Sequence, residues 1–142
     1  MRVVGVAVVA VLVLLTGCSG RPSVHDVEPA MRQAVQAFAG AGAVVRREVL
    51  PRCGPTDERL DGQHLRLHVE VPAGSVDLAD VADELRRAGV GVELGDGTGA
   101  PLLDLESGNG WTADLWPTIE GPWRLTATAE VDGDEQTVHS CG

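Results

Sequence analysis

Two segments of this chain alternate apolar and polar residues without interruption, and that pattern limits the folds open to it. In the segment from His64 to Val71 every second residue is Leu or Val, and the segment from Trp123 to Val131 repeats the alternation. Successive side chains of a β-strand point to opposite faces, so each segment predicts a strand with one buried and one hydrated face. Such strands are typical of an antiparallel sheet that is covered on one side only.

Two other segments have apolar residues at helical spacing. The first helix is predicted over residues 27–39. We expect Asp26 to cap it, because a cap at Ser23 would leave Pro29 in the helix interior, where a missing N–H interrupts the hydrogen-bond ladder. The second helix is predicted from Leu78 to Ala88, ending before a glycine.

Shorter strands complete the pattern. Residues 54–62 are polar and predict a loop, and Ser107–Gly110 predicts a hairpin turn. Strands are expected at Val44–Leu50, Val90–Leu94, Leu102–Glu106 and Trp111–Trp116. The order α-β-β-α-β-β-β-β predicts an α+β two-layer sandwich, with two helices packed on one face of a mainly antiparallel sheet. Without repeats or a break in composition, residues 24–142 are expected to form one domain.

The charge balance restricts the possible partners. The chain of 142 residues has 11 basic and 21 acidic side chains, a formal net charge of −10. An acidic domain is repelled by phosphate groups, so nucleic acid is not an expected partner. The same repulsion opposes adsorption to anionic lipid, so attachment to a membrane would have to depend on something other than charge.

The N-terminal segment has the parts of an export signal. Arg2 supplies a positive charge, and Val3–Leu15 is an uncharged run that is shorter than the roughly 20 residues of a membrane-spanning helix. An aliphatic residue, two small residues and a cysteine follow, Leu15-Thr16-Gly17-Cys18. This tetrapeptide resembles the lipobox of bacterial lipoproteins. The alternative is an ordinary secretory signal that happens to contain a cysteine.

The resemblance covers residues 1–18 and implies a lipid anchor. It implies that residues 1–17 are a cleaved signal peptide and that the thiol of Cys18 carries diacylglycerol, with a further acyl chain such as palmitate on its amino group. Residues 18–23 would then be a short tether. The expected location is the extracytoplasmic face of the cell membrane, and the expected contact with the membrane is the lipid on Cys18.

Two cysteines remain for the exported domain. Cys53 and Cys141 would reach an oxidising compartment, where an even number of cysteines favours a disulfide. The alternative is two unpaired thiols.

Three motifs that could hold a metal ion or a phosphate group do not have the required geometry. His64 and His68 have the spacing of a zinc pair, but on a strand their Cα atoms would lie about 13 Å apart. Gly95–Gly99 is followed by a strand, whereas a phosphate loop opens onto a helix. Asp132–Glu135 is a hairpin tip with too few spaced carboxylates for calcium. We therefore expect no metal ion and no cofactor.

No catalytic residue can be assigned. His139 and Ser140 are neighbours in a predicted extended segment and would point to opposite faces, and a Cys53–Cys141 disulfide would leave no thiol as nucleophile. Carboxylate pairs stay open as catalytic groups, because 21 acidic residues offer many.

The tryptophans are the candidates for a binding surface. Trp116 shares its strand face with Thr112 and Asp114, so we expect its ring to point outward and to form an apolar patch with Ile119 for a partner or a sugar ring. The ring of Trp123 is expected inside. The alternative is that all the tryptophans cover the core.

The first functional hypothesis is a membrane-anchored envelope lipoprotein that acts as a non-catalytic binding or structural module. The alternatives are an enzyme that acts on envelope polymers through paired carboxylates and a lipid carrier or chaperone. A cavity on the inner face of the sheet would favour the carrier. A cleft with two carboxylates about 5–10 Å apart would favour glycoside chemistry, and a filled core with neither would favour the binding module.

Overall fold

A computed structural model describes residues 21–40, 42–133, 137 and 140–142 of the chain. Within these residues there are two helices and six strands, so the predicted α+β class is confirmed. In chain order the elements are α1 (Val24–Ala39), β1 (Arg46–Cys53), β2 (Arg59–Val71), α2 (Leu78–Arg87), β3 (Gly91–Leu94), β4 (Leu103–Glu106), β5 (Trp111–Trp116) and β6 (Trp123–Val131).

The six strands form one antiparallel sheet in the order β1-β2-β6-β5-β4-β3. β1 and β2 are a hairpin, and β3 to β6 are a meander. The two units join where β2 pairs with β6, in a register that runs from Gln63 opposite Val131 to Val71 opposite Trp123. The two strictly alternating segments are therefore central neighbours in the sheet.

One face of the sheet is buried. Leu65, Leu67 and Leu125 on this face are at most 1% exposed, and they belong to a hydrophobic core that also includes Met31 of α1 and Leu85 of α2. The polar residues of the alternating segments His64–Val71 and Trp123–Val131 lie on the opposite face and are partly or fully exposed, whereas Gln63, which precedes the first segment in β2, is fully buried. The alternation in the sequence thus predicted which side chains are buried.

The start of α1 differs from the prediction. The N-cap is Ser23 rather than Asp26: the Ser23 Oγ accepts from the Asp26 N–H at 3.2 Å and donates to the Asp26 carboxylate at 2.8 Å. Pro29 consequently lies inside the helix. Pro29 has no N–H to donate to the His25 carbonyl, but both residues are exposed, so this carbonyl can bond to water. The earlier start also buries Val24 in the core, which stabilises the fold.

β2 also begins earlier than expected, at Arg59, so the predicted loop over 54–62 is shorter. Arg59 is opposite Cys53 across the β1–β2 pair, and the Gly54 N–H donates to the Glu58 carbonyl at 2.8 Å to close the turn. Residues 59–61 are exposed. A segment without a buried face shows no alternation, so the sequence pattern could not mark these residues as a strand.

The predicted second helix and hairpin turn are both present. Asp77 caps α2 by accepting from two backbone N–H groups. Ser107 closes the β4–β5 hairpin by donating its backbone N–H to the Trp111 carbonyl at 3.1 Å. Cys53 and Cys141 form a disulfide with their sulfur atoms 2.00 Å apart. The disulfide joins the end of β1 to the last residues of the chain.

The two ends of the sheet differ, and we name them by their residues. The proximal end holds residues 21–23 and the turns 54–58 and 107–110, whereas the distal end holds the loops 72–77, 95–102 and 117–122. At the proximal end Ser23 forms a parallel bridge with Asp132, whose N–H donates to the Pro22 carbonyl at 2.9 Å. Residues 21–23, expected to belong to the tether, are thus in contact with the domain. The nine residues of β6 separate the two ends by about 27 Å.

Candidate functional site

Three side chains of different chemical character lie in a row at the distal end of the hydrated face. Glu70 of β2 is opposite Arg124 of β6, and Arg124 is opposite Trp116 of β5. Neighbouring strands are about 4.8 Å apart, so these side chains are adjacent. The row combines a carboxylate, a guanidinium and an aromatic ring on one surface.

A cleft of about 730 Å³ adjoins this row. It lies between the residues that follow α1, the start of β1, the end of β2 and the start of β6. Its apolar wall is Ala39, Ala43, Val44, Val69, Pro72 and Pro122. Its charged and polar side chains are Arg46, His68, Glu70 and Arg124. The cleft therefore has an apolar side and a side with two guanidinium groups.

His68 is held in place at the cleft. Its Nδ1 lies 3.1 Å from Thr126 Oγ1, and its Nε2 lies 3.2 Å from Glu48 Oε2. Both ring nitrogens are engaged, so His68 contributes a fixed surface rather than a free donor. His64 does not line the cleft, and within the described residues no group of three His, Cys, Asp or Glu side chains could hold a metal ion.

The two cleft arginines have no ion pair or hydrogen bond with any described residue. Elsewhere Arg32 and Arg47 both pair with Glu28, at 3.0 and 2.8 Å. These two guanidinium groups donate hydrogen bonds to Glu28 and, although burial acts in the opposite direction, lower the pKa of its carboxyl. The contrast shows that the guanidinium groups of Arg46 and Arg124 remain available.

Trp116 is 37% exposed, and its Nε1 donates to Asp114 Oδ2 at 3.2 Å. This hydrogen bond within one strand face holds the ring against the sheet. Trp123 is partly buried against the core, and Trp111 is 4% exposed, with an indole N–H that has no partner among the described residues. The three tryptophans thus differ in burial, and Trp116 is the one with an accessible ring.

Ile119 is fully exposed in the loop that follows β5. It is one of five large apolar side chains that are exposed in the described part of the chain, and four of these lie at the distal end: Val44, Leu94, Trp116 and Ile119. Leu60 at the proximal end is the fifth. Exposed apolar groups therefore concentrate at the end of the sheet that contains the cleft.

The other sequence candidates lie elsewhere. Gly95–Gly99 lies in the connection between β3 and β4, where the Gly95 N–H donates to the Leu102 carbonyl at 3.2 Å, so no helix follows it. Hydrogen bonds from Thr98 lower the pKa of the Asp96 carboxyl in this loop. Cys18, His139 and the last two residues of Asp132–Glu135 lie outside the described residues.

One carboxylate pair was missed by the sequence analysis. Asp104 of β4 is opposite Asp114 of β5 on the hydrated face, and Glu93 of β3 is opposite Asp104. The register of the β4–β5 hairpin around Ser107–Gly110 was the signal that could have revealed the pair. Neither aspartate lines the cleft, where the one carboxylate among the described residues is Glu70.

No family model matches this chain, and no curated protein is significantly similar to it in sequence. Among the described residues there is also no helix with the length and apolar character needed to cross a membrane. The function of the site therefore has to follow from its own residues.

Proposed function

We propose that this chain is a lipoprotein of the bacterial cell envelope, anchored on the extracytoplasmic face by lipid on Cys18, and that its domain is a non-catalytic binding module. The observation that carries the proposal is the separation of the two ends of the sheet. The chain enters the domain at the proximal end, whereas the cleft, Trp116 and Ile119 lie at the distal end.

The short connection between Cys18 and the domain determines which end of the sheet would face the membrane. Arg21 is already fixed to the domain by a hydrogen bond from its guanidinium to the Asp61 carbonyl at 2.7 Å. Cys18 precedes Arg21 by three residues, which span about 10 Å when extended. Lipid on Cys18 would therefore hold the proximal end against the membrane and direct the distal end into the envelope space.

The proposed two-layer sandwich keeps the binding surface free. We infer that both helices pack on the same face of the sheet, since Met31 and Val35 of α1 and Ala82 and Leu85 of α2 belong to one core cluster. In that arrangement the hydrated face, with Arg124 and Trp116, is not covered by a helix.

The alternatives lack the features that they require. A lipid carrier needs a cavity beneath the sheet, but the inner residues Leu65, Leu103 and Leu115 are fully buried against other side chains of the core. A glycosidase needs two carboxylates in a cleft, and among the described residues the cleft has Glu70 alone. The features of the distal end therefore favour binding over catalysis.

The anchor is tested by the substitution Cys18→Ser. We expect it to abolish incorporation of labelled palmitate and to move the protein out of the membrane fraction. The double variant Cys53→Ser/Cys141→Ser is the matched control, because it removes the other two cysteines and should keep the label. Palmitate incorporation into the Cys18→Ser protein would refute the proposed anchor.

The direction of the binding surface is tested with a photoreactive side chain at Ile119 or, for comparison, at Leu60. Both positions are exposed, but they lie at opposite ends of the sheet. We expect reproducible cross-links to envelope components in intact cells from position 119 and not from position 60. Cross-links from position 60 alone would contradict the proposal.

A further inference from the structure

We propose that the distal cleft binds a small amphiphilic anion, a carboxylate or phosphate group joined to an apolar group. The inference rests on the proposed function, because it names the ligand class of the binding module. Four features of the cleft support it: its free guanidinium groups, their positions, its apolar wall and its size.

The free guanidinium groups of Arg46 and Arg124 indicate the charge of the ligand. Among the described residues, ion pairs with carboxylates are formed by Arg32, Arg47, Arg52 and Arg86. Arg46 and Arg124 form none with a described residue, and both line the cleft. A guanidinium group presents a planar set of N–H donors that matches a carboxylate or phosphate.

The positions of the two arginines allow them to act on one anion. Arg46 of β1 is opposite His68 of β2, and Arg124 of β6 is opposite Glu70 of the same strand. The arginines therefore flank β2, with their strands about 10 Å apart and their positions offset by two residues along it, so their Cα atoms are about 12 Å apart. Side chains as long as arginine can approach a shared anion from both sides across that distance.

The polar side chains between the arginines differ in availability. His68 is engaged by Thr126 and Glu48 and leaves no free ring nitrogen. Glu70 is exposed and is the one carboxylate among the described lining residues. Its negative charge, opposite Arg124, repels an incoming anion. Removal of this charge should therefore strengthen anion binding, the opposite of removing an arginine.

The apolar wall indicates the rest of the ligand. Val44 is 82% exposed, and Ala43, Pro72 and Pro122 extend the same surface. An inorganic anion would leave this surface in water, whereas an attached apolar group would cover it. A cleft of about 730 Å³ is within the range of small-molecule sites, about 300–1,000 Å³.

The test uses the full-length lipidated protein in nanodiscs of phosphatidylcholine, titrated with hexanoate, hexyl phosphate and, as an uncharged control, hexanol. Trp116, opposite Arg124, provides a fluorescence signal. We expect saturable binding of the two anions and none of hexanol at the same concentrations. Equal binding of hexanol, or no saturable binding of either anion, would overturn the proposal.

Variants assign the binding to the cleft. Arg46→Gln and Arg124→Gln should each weaken binding about tenfold or more, the effect of losing a charge-assisted hydrogen bond. Glu70→Gln should strengthen it. Arg66→Gln is the matched control, because Arg66 lies on the same face, has no ion pair with a described residue and does not line the cleft. An equal loss with Arg66→Gln would mean a general charge effect and would refute the site.

The source of the anion is decided by adding vesicles of phosphatidylglycerol. Vesicle binding that requires Arg46 and Arg124 would identify the ligand as a lipid headgroup in a bilayer, and binding of the hexyl anions alone would identify a free amphiphile. Failure of all anions to bind a protein that still incorporates palmitate refutes this inference alone. Absence of palmitate incorporation into the wild-type protein would refute the anchor but would not change the measurement of anion binding to the cleft.

Discussion

Arg124 lies directly opposite Trp116 across the β5–β6 pair, on the hydrated face of the sheet. The inward neighbour of each is a core residue, Leu125 beside Arg124 and Leu115 beside Trp116, and both leucines are at most 1% exposed. The two outward side chains can therefore be replaced without opening the core. Effects of such substitutions on binding can be separated from effects on folding.

Trp116→Ala should leave the free energy of unfolding nearly unchanged, because the ring is accessible and packs on the outside of the sheet. Trp111→Ala should cost about 3–5 kcal/mol, the usual cost of truncating a buried aromatic ring. Trp123, which is partly buried, should lie between them. Urea denaturation of the three variants measures this order. A loss with Trp116→Ala as large as with Trp111→Ala would place both rings in the core.

Removing the disulfide should destabilise the domain strongly. The bond closes a loop with a sequence separation of 88 residues between Cys53 and Cys141. Loop-closure entropy for that length corresponds to at most about 4–5 kcal/mol. The Cys53→Ser/Cys141→Ser variant should therefore unfold at a much lower urea concentration than the oxidised protein. Equal midpoints for the two would show that the disulfide does not contribute to stability.

Glu28 should make stability depend on pH in the acidic range. Although burial alone would raise the pKa of its carboxyl, hydrogen bonds from Arg47 and Arg32 lower it below the usual 4.5. The stabilisation is thus present above pH 4.5 and is lost as the pH falls through the lower folded pKa. The difference in unfolding free energy between wild type and Glu28→Gln, measured from pH 7 to pH 3, should shrink on acidification. A difference that does not change with pH would contradict this.

Pro29→Ala should stabilise the domain by about 2 kcal/mol. The substitution restores an N–H donor for the His25 carbonyl inside α1, a gain of about 3 kcal/mol that is reduced by the greater freedom of the unfolded chain. Pro55→Ala is the control: Pro55 lies in the exposed 54–58 turn, where the same substitution should cost less than about 1 kcal/mol. Thermal unfolding measures whether each variant is more or less stable than the wild type. A destabilised Pro29→Ala protein would show that the ring itself stabilises α1.

Local patterns in the sequence predicted the helices and strands better than they predicted which strands pair with each other. Leu67 and Ala127 were recognised as inward residues because alternation reports burial directly, but nothing local indicates that they face each other across β2 and β6. The Ser23 cap was missed because proline is disfavoured inside a helix, and the sequence does not show that an earlier start buries Val24 in the core. Both points depend on how the elements pack in three dimensions.

Only part of the candidate site could be predicted from the sequence, because the rest depends on how the strands are arranged. The exposure of Trp116 follows from its polar companions on one strand, so the sequence was sufficient. The cleft combines Ala39 after α1, Arg46 at the start of β1, Glu70 at the end of β2 and Arg124 at the start of β6. Ala39 and Arg46 are close in the sequence, but Glu70 and Arg124 are distant from them and from each other. The order of the strands makes them neighbours.

The pairing of β2 with β6 also has a kinetic consequence. Val71 and Trp123 meet at one end of this pair although about 50 residues of chain separate them. The β1–β2 hairpin and the β3–β6 meander contain contacts between residues close in sequence, which can form early, whereas the centre of the sheet requires closure of a long loop. The rate of folding should therefore be set by the encounter of two preformed halves, and the middle of the sheet, the most buried part of the molecule, should be the last to assemble.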